Sequence, residues 1–360
     1  MKILIDIGHP AHVHIFRNLA SELGKDGHDV LFTCREKENV IALLKAYQLP
    51  YVTFGRPFKN KIGKILGLII FNIKMMRTLL KFRPGITLGH SSMYAAQMSW
   101  LLGIPHISVE DTGNMEQIVL YRPFTKAILV PVSFHRDLGS KQIRYYGNHE
   151  LAYLHPNRFT PDPDFFSKNK PHISKPFVIL RFVAWNASHD TGQRGLSIKD
   201  KLFAVNEFSK HATVVISSEK ELPPEFGKYL LHIPPEKIHN LISQASLLYG
   251  ESATMASEAA ILGTPAIYLD NVGRSYTREE EEQYGLVFNY TTSEQDFQAS
   301  VSKGLELLKD LSSKEMWKKK SERMLDDKID VTAFMKWFVE QWPKSYGIMK
   351  ADPEYQKTFK

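Results

Sequence analysis

The amino-acid sequence predicts an α/β protein made of two doubly wound domains. Three observations lead there: short apolar runs alternate with amphipathic segments, one stretch recurs at a fixed offset, and a proline-rich segment separates the two copies. A strand that passes through a helix to the next strand makes a parallel sheet by a right-handed crossover.

The first element is the apolar run Lys2-Ile3-Leu4-Ile5, closed by a Gly/His/Pro turn. After it Ile15, Phe16, Leu19, Ala20 and Leu23 fall at helical spacing, and Gly27-His28-Asp29 leads into the strand Val30-Leu31-Phe32. The alternation returns at 86–109, 177–183, 213–217 and 247–269. Sliding the chain by 160 positions lays LGHSSMYAAQMSWLLGIPHI, 88–107, on LYGESATMASEAAILGTPAI, 248–267. Leu88, Ser92, Ala96, Leu102, Gly103, Pro105 and Ile107 then meet identical residues at Leu248, Ser252, Ala256, Leu262, Gly263, Pro265 and Ile267. Each copy reads loop, helix, Leu-Gly-X-Pro, strand, because glycine ends a helix in the left-handed conformation and proline bars its continuation. Between the copies, 155–176 carries five prolines and no periodicity. The expected organisation is a first domain over 1–160, a linker at 161–176, a second domain over 177–312 and a helical tail, 313–360, crossing back to the first domain. Trp317, Met324, Phe334, Trp337, Phe338 and Trp342 are spread along that tail.

Composition narrows the function classes. With 360 residues, 43% of them hydrophobic, the chain can bury a substantial core, and a net charge of +7 favours an anionic partner: a nucleotide, a phospholipid surface or nucleic acid. Nucleic acid is set aside because no recognition module or interleaved aromatic pattern accompanies the basic residues. The single cysteine, Cys34, excludes an intrachain disulfide, and the start MKILIDIGHP lacks the features of a signal peptide, so a cytoplasmic location is expected. No apolar run is long enough to span a bilayer. The segment 56–83 holds eight basic residues, and no acidic residue falls between Arg56 and Val109. Lys74, Arg77 and Lys81 beside Ile69, Ile70, Phe71, Ile73, Met76 and Leu80 suit peripheral contact with an anionic membrane; a core helix with a basic rim is the alternative.

The chemistry-bearing residues cluster at strand ends. Ser252, Ala253 and Thr254 sit where a strand turns into a helix, whose free first-turn N–H groups suit a phosphate. Glu258 lies one turn on, where it would meet the ribose of a diphosphate held at that turn. Its counterpart in the first copy is Met98, so the carboxylate answers a need of the second domain alone. His9, His12 and His14 follow the first strand, at the edge where open sheets bind ligands, and His12 is the expected general base. The three imidazoles admit a metal reading, but no companion carboxylate or cysteine is marked out, and no metal or cofactor is expected. Arg181 and then Thr191-Gly192 leave the first strand of the second domain toward the diphosphate. Gly8, His9, His90, Ser91, Ser92 and Tyr276 are expected at the acceptor or elsewhere in the cleft. The four glutamates Glu279 to Glu282 read as a solvated helix face.

These stretches resemble a known superfamily. Gly250 to Ile267 is similar to the donor segment of GT-B glycosyltransferases, especially the enzyme that adds N-acetylglucosamine to the lipid-linked peptidoglycan precursor, and of the non-hydrolysing UDP-N-acetylglucosamine 2-epimerases. GHPAHVH together with TMASEAAILGTP resembles the GT-B-like group called domain of unknown function 354, to about residue 340. The resemblance implies a GT-B fold, two Rossmann-like domains facing across a cleft. It also implies a transferase that moves a sugar from a UDP-linked nucleotide-sugar to an acceptor. A helix terminus and basic side chains can stabilise the departing diphosphate, so metal independence is expected, and if 56–83 touches a membrane the acceptor is expected to be lipid-linked, in surface polysaccharide or glycolipid synthesis. Glu258 would take the ribose and 252–254 the phosphates. His12 matches the histidine of the transferase's Gly-Gly-His-Val stretch, and Glu110 the glutamate of its His-Glu pair, so these two are the expected catalytic residues. The alternatives are a 2-epimerase, which needs no acceptor, and a catalytically silent nucleotide or glycan binder.

Overall fold

A computed structural model describes residues 1–58, 61–169, 173–184 and 195–360. The chain forms two compact units: Met1–Arg158 with Lys328–Lys360, and Phe159–Asp327. Within the segment expected as a linker, Phe165–Asn169 is helical and Phe165 is buried in the second unit. The tail divides at Asp327, its first helix packing in the second unit and the remainder in the first.

The first unit runs β1 (Lys2–Ile7), α1 (Pro10–Lys25), β2 (Asp29–Cys34), α2 (Val40–Ala46), β3 (Tyr51–Thr53), α3 (Lys61–Phe82), β4 (Ile86–His90), α4 (Met93–Leu101), β5 (His106–Val109), α5 (Met115–Tyr121), β6 (Ala127–Pro131), β7 (Gln142–Tyr145) and α6 (Leu151–Leu154). Its strands are parallel, in the order β3-β2-β1-β4-β5-β6-β7. The inner strands are short, mostly apolar runs such as Ile3-Leu4-Ile5, buried on both faces as a helix-covered parallel sheet demands, while the edge strand β3 is largely exposed. On α3, Phe71, Met75 and Leu79 face inward against Leu4, Phe54 and Ala95. The opposite side exposes Leu66, Ile69, Ile70, Ile73 and Leu80, with Arg77 and Lys81 among them. Two members of the expected membrane face turn away from it: Phe71 is buried, and Lys74 Nζ donates to the Phe54 carbonyl at 2.6 Å. Among the described residues no helix is long and apolar enough to cross a membrane.

The second unit runs α7 (Phe165–Asn169), β8 (Phe177–Phe182), α8 (Ile198–Ser209), β9 (Thr213–Ser218), α9 (Ile238–Gln244), β10 (Leu247–Gly250), α10 (Ala253–Ile261), β11 (Ala266–Leu269), α11 (Ser275–Glu282), β12 (Val287–Tyr290), α12 (Glu294–Lys309) and α13 (Ser313–Asp327). Its parallel order is β12-β11-β10-β8-β9. On α13, Trp317 Nε1 donates to the Leu286 carbonyl at 2.7 Å and Ser321 Oγ to that of Ile261 at 2.6 Å. The chain then returns to the first unit as α14 (Val331–Glu340) and α15 (Lys344–Ala351).

The internal echo is built alike in both units. Ser92 caps α4 and Ser252 caps α10, each side chain accepting the N–H three residues on, from Ala95 and Met255. Gly103 and Gly263 end those helices at φ +69° and +67°, which a residue with a Cβ adopts only under strain.

Candidate functional site

In the first unit the sheet order reverses direction between β1 and β4, and open α/β sheets bind ligands outside the carboxyl ends of their strands at such a point. Asp6, fully buried near the end of β1, ties the neighbouring strand ends together: it accepts from Thr33 Oγ1 at 2.7 Å, Arg35 Nη1 at 2.6 Å and Ser92 Oγ at 2.5 Å. Gly8 passes close to Arg35, whose Nη2 would lie 2.8 Å from an added Cβ.

The three histidines after β1 have separate duties. His9 caps α1, its Nδ1 accepting the Ala11 N–H at 3.2 Å. His14 is buried between Tyr47 and Tyr153. His12 Nδ1 accepts the Gly8 N–H at 3.2 Å, which leaves the ring proton on Nε2. Burial, with His90 and His9 nearby, holds this ring well below its ordinary pKa. His12 therefore presents a hydrogen-bond donor where a proton acceptor was expected, and the three imidazoles do not converge.

A second set of residues does converge. The His12 ring stacks on His90 with centroids 4.3 Å apart. His90, at the end of β4, donates from Nε2 to Asp111 Oδ1 at 3.0 Å, and His149 Nδ1 lies 3.0 Å from Asp111 Oδ2. Burial lowers the His90 pKa, but the bond to Asp111 and its charge outweigh that and raise it. Burial pushes Asp111 up, but His149 and His90 hold it well below the usual carboxylate range. Asp111 follows β5 and His149 follows β7, so three strand ends deliver this cluster.

Glu110 is fully buried and saturated. Its Oε1 accepts from Thr112 N at 2.8 Å, Thr112 Oγ1 at 2.7 Å and Gly113 N at 3.0 Å; its Oε2 accepts from Ser91 Oγ at 2.6 Å and Tyr121 Oη at 2.8 Å. With five donors on two oxygens it anchors the loop after β5 and holds Ser91 at φ +50°, beside the His90 ring. Expected as catalytic, it has the bonding of a positioning residue. Cys34 offers no nucleophile, because burial pushes its thiol up to about 11.

In the second unit the order reverses between β8 and β10. Gly250 ends β10 at φ +151°, where a Cβ would lie 2.1 Å from the Arg181 carbonyl oxygen. Glu251, buried beside it, accepts the N–H groups of Val183 at 3.2 Å and Leu196 at 2.6 Å. Ser252, Ala253 and Thr254 form the cap and first turn of α10, whose N–H groups have no partner within the helix. One turn on, Glu258 is only 5% exposed and accepts from His239 Nε2 at 3.0 Å. The Arg181 guanidinium is held by Ser217 Oγ at 2.9 Å and Glu219 Oε1 at 2.5 Å, so it is committed within its own sheet edge. Tyr276 is buried at the start of α11. Thr191 and Gly192 lie outside the described residues. The glutamate run is no solvated face: Glu279 and Glu280 are buried, and Glu280 accepts from Ser257 Oγ on α10 at 2.5 Å.

The family description protein of unknown function (DUF354) matches residues 1–333. The chain belongs to the DUF354 family. An uncharacterized protein of Methanocaldococcus jannaschii is 22% identical over 279 residues, covering 74% of this DUF354 chain and 81% of that protein. Among solved structures, the UDP-GlcNAc 2-epimerase from Neisseria meningitidis bound to UDP-GlcNAc is 16% identical, with a TM-score of 0.65 over 91% of this chain and 99% of that one. The spinosyn rhamnosyltransferase SpnG complexed with spinosyn aglycone is 15% identical, with a TM-score of 0.59 over 93% and 99%. The UDP-GlcNAc 2-epimerase from Methanocaldococcus jannaschii is 14% identical, with a TM-score of 0.58 over 86% and 94%. These likenesses assign the GT-B fold.

Asp111, His149, Tyr121 and His239 were not singled out from sequence. His149 stands four residues past the strand Gln142–Tyr145, whose Gln-Ile-Arg-Tyr sequence gives only a weak strand signal. Asp111 directly follows Glu110, and no local sequence signal sets the one carboxylate apart from the other.

Proposed function

We propose that this DUF354 protein is a GT-B enzyme that binds a UDP-linked sugar through its second unit and transfers the sugar to an acceptor hydroxyl bound by the first. The reading rests on the β10–α10 turn. There Ser252, Ala253 and Thr254 open a helix at the point where the sheet order reverses, and Glu258 lies one turn on, oriented by His239. Helix N-terminal amides take the diphosphate, and the carboxylate takes the paired ribose hydroxyls. Structures of this fold were solved with UDP-GlcNAc and with thymidine diphosphate, which supports a pyrophosphate-bearing ligand. On the acceptor side the cluster of His12, His90, Asp111 and His149 supplies donors and proton acceptors for the reacting hydroxyl.

The outer face of α3 favours a transferase with a lipid-linked acceptor. Ile69 and Leu80 are 55% and 56% exposed on a helix that also presents Arg77 and Lys81, a pattern that suits an anionic bilayer surface. A nucleotide-sugar epimerase is the second reading, favoured by the extent of the likeness to the Neisseria enzyme.

Thermal shift with UDP, ADP, GDP and dTDP tests the nucleotide site, since a ligand bound only by the folded chain raises its midpoint. UDP is expected to give the largest rise, and Glu258→Gln to weaken UDP by about tenfold or more, the loss of a charge-assisted hydrogen bond. No response to any diphosphate sinks the proposal. Incubation with UDP-N-acetylglucosamine alone separates the two readings: epimer formed without acceptor replaces the transferase with the epimerase.

A further inference from the structure

We propose that His90, Asp111 and His149 form a site for one divalent transition-metal ion, with Zn²⁺ as the reference cation. Their ligand atoms all lie within 4.8 Å of one another. Two imidazoles and one carboxylate suit zinc or ferrous iron and leave coordination positions open. Metal–ligand bonds of about 2.0–2.2 Å hold ligand atoms roughly 3–3.5 Å apart, so closure needs side-chain movements of about 1 Å. Asp111 already stands between the two rings, one oxygen 3.0 Å from each.

The independent observation is His149. It is 2% exposed; its Nδ1 is ion-paired with Asp111 Oδ2 at 3.0 Å, while its Nε2 is buried with no hydrogen-bond partner. The Tyr145 hydroxyl, whose ring stacks against His149 with centroids 6.1 Å apart, is also buried and unpartnered. A buried polar atom without a partner is costly, and a metal ion held with Asp111 gives this imidazole an electron-pair acceptor. Support around the ligands is in place. The other nitrogen of His90, Nδ1, lies 3.4 Å from Ser91 Oγ, which is fixed by Glu110, and this directs Nε2 toward Asp111. Asp111 is the most exposed of the three, with 13% of its side chain accessible.

The inference replaces the expected metal independence and deepens the acceptor side of the proposed reading, whose His90, Asp111 and His149 it uses; zinc uptake is measured without nucleotide, so its failure is distinct from failure of the Glu258 site. A bound ion would polarise a coordinated hydroxyl or water and lower its pKa.

The experiment uses the full chain, stripped with a chelator and titrated with Zn²⁺ by equilibrium dialysis, with Co²⁺ as spectroscopic substitute. About one equivalent is expected, together with a rise in the thermal midpoint. His149→Ala and the isosteric Asp111→Asn should each weaken Zn²⁺ by about a hundredfold or more, and exposed His211→Ala should leave it unchanged. X-ray absorption on the zinc-loaded wild-type chain should show two imidazoles and needs no variant to fold. Zinc that stays bound with unchanged affinity in Asp111→Asn, a wild-type chain that takes up none, or an absorption edge without imidazole ligands overturns the proposal.

Discussion

Replacement of Glu110 measures whether this carboxylate anchors the site or works as an exposed base. Its two oxygens accept five hydrogen bonds, from the backbone of Thr112 and Gly113 and from the hydroxyls of Thr112, Ser91 and Tyr121. In Glu110→Gln the amide oxygen keeps the Thr112 and Gly113 donors, and the Ser91 and Tyr121 hydroxyls rotate to accept from the new NH₂. What is lost is charge assistance, about 1–2 kcal/mol in all. In Glu110→Ala the two backbone N–H groups cannot turn away. At about 1–3 kcal/mol for the buried Gly113 N–H, less for the part-buried Thr112 N–H, plus the cavity, that variant loses about 3–5 kcal/mol. Guanidinium unfolding gives both values, and amide hydrogen exchange at Thr112 and Gly113 localises them. Because the chain has two units, exchange decides if the unfolding curve shows two steps. Should Glu110→Ala cost less than about 1 kcal/mol with both amides still protected, the anchor assignment is wrong.

Gly250→Ala sets a Cβ 2.1 Å from the Arg181 carbonyl oxygen at φ +151°, so a loss of more than about 3 kcal/mol or failure of the second unit to fold is expected; wild-type stability by denaturant unfolding refutes the close approach. Lys314 donates to Ala245 O at 3.1 Å and to Thr264 Oγ1, while burial, with repulsion from Lys175, pushes its ammonium from 10.5 down to about 7. The unfolded chain therefore holds this proton across pH 7 to 10.5 and the folded chain does not, so stability rises with pH through that window, by up to a few kcal/mol. Lys314→Met should flatten that slope and gain on the wild type below pH 7; parallel pH–stability curves would count against the buried amine. Ile69→Asp with Ile73→Asp should change stability by less than about 0.5 kcal/mol each, because both side chains are exposed, yet lower sedimentation with anionic vesicles by about tenfold or more. Equal sedimentation of variant and wild type removes α3 as a membrane contact.

Features set by near neighbours along the chain are legible in the residues alone. Ser92 and Ser252 as helix caps, Gly103 and Gly263 as helix ends, and the alternation that builds two parallel sheets were all readable, since caps, turns and apolar periods depend on residues three or four apart. The same locality put His90 and Glu110 at the carboxyl ends of β4 and β5, and His12 and Glu258 in the first two turns of the helices that follow β1 and β10. What those side chains do there was a tertiary matter. His12 lost its lone pair to the Gly8 N–H, Arg181 was engaged by Glu219, and Glu110 was saturated by Tyr121 and Ser91. Glu279 and Glu280 look solvated in a run of four charges, but the packing of α11 on α10 buries them. The His90–Asp111–His149 cluster joins the ends of β4, β5 and β7. Sheet order, not sequence spacing, brings those ends together: hydrogen bonding between strands fixes which loops are neighbours, and only then can burial and charge set the chemistry of each ring and carboxylate.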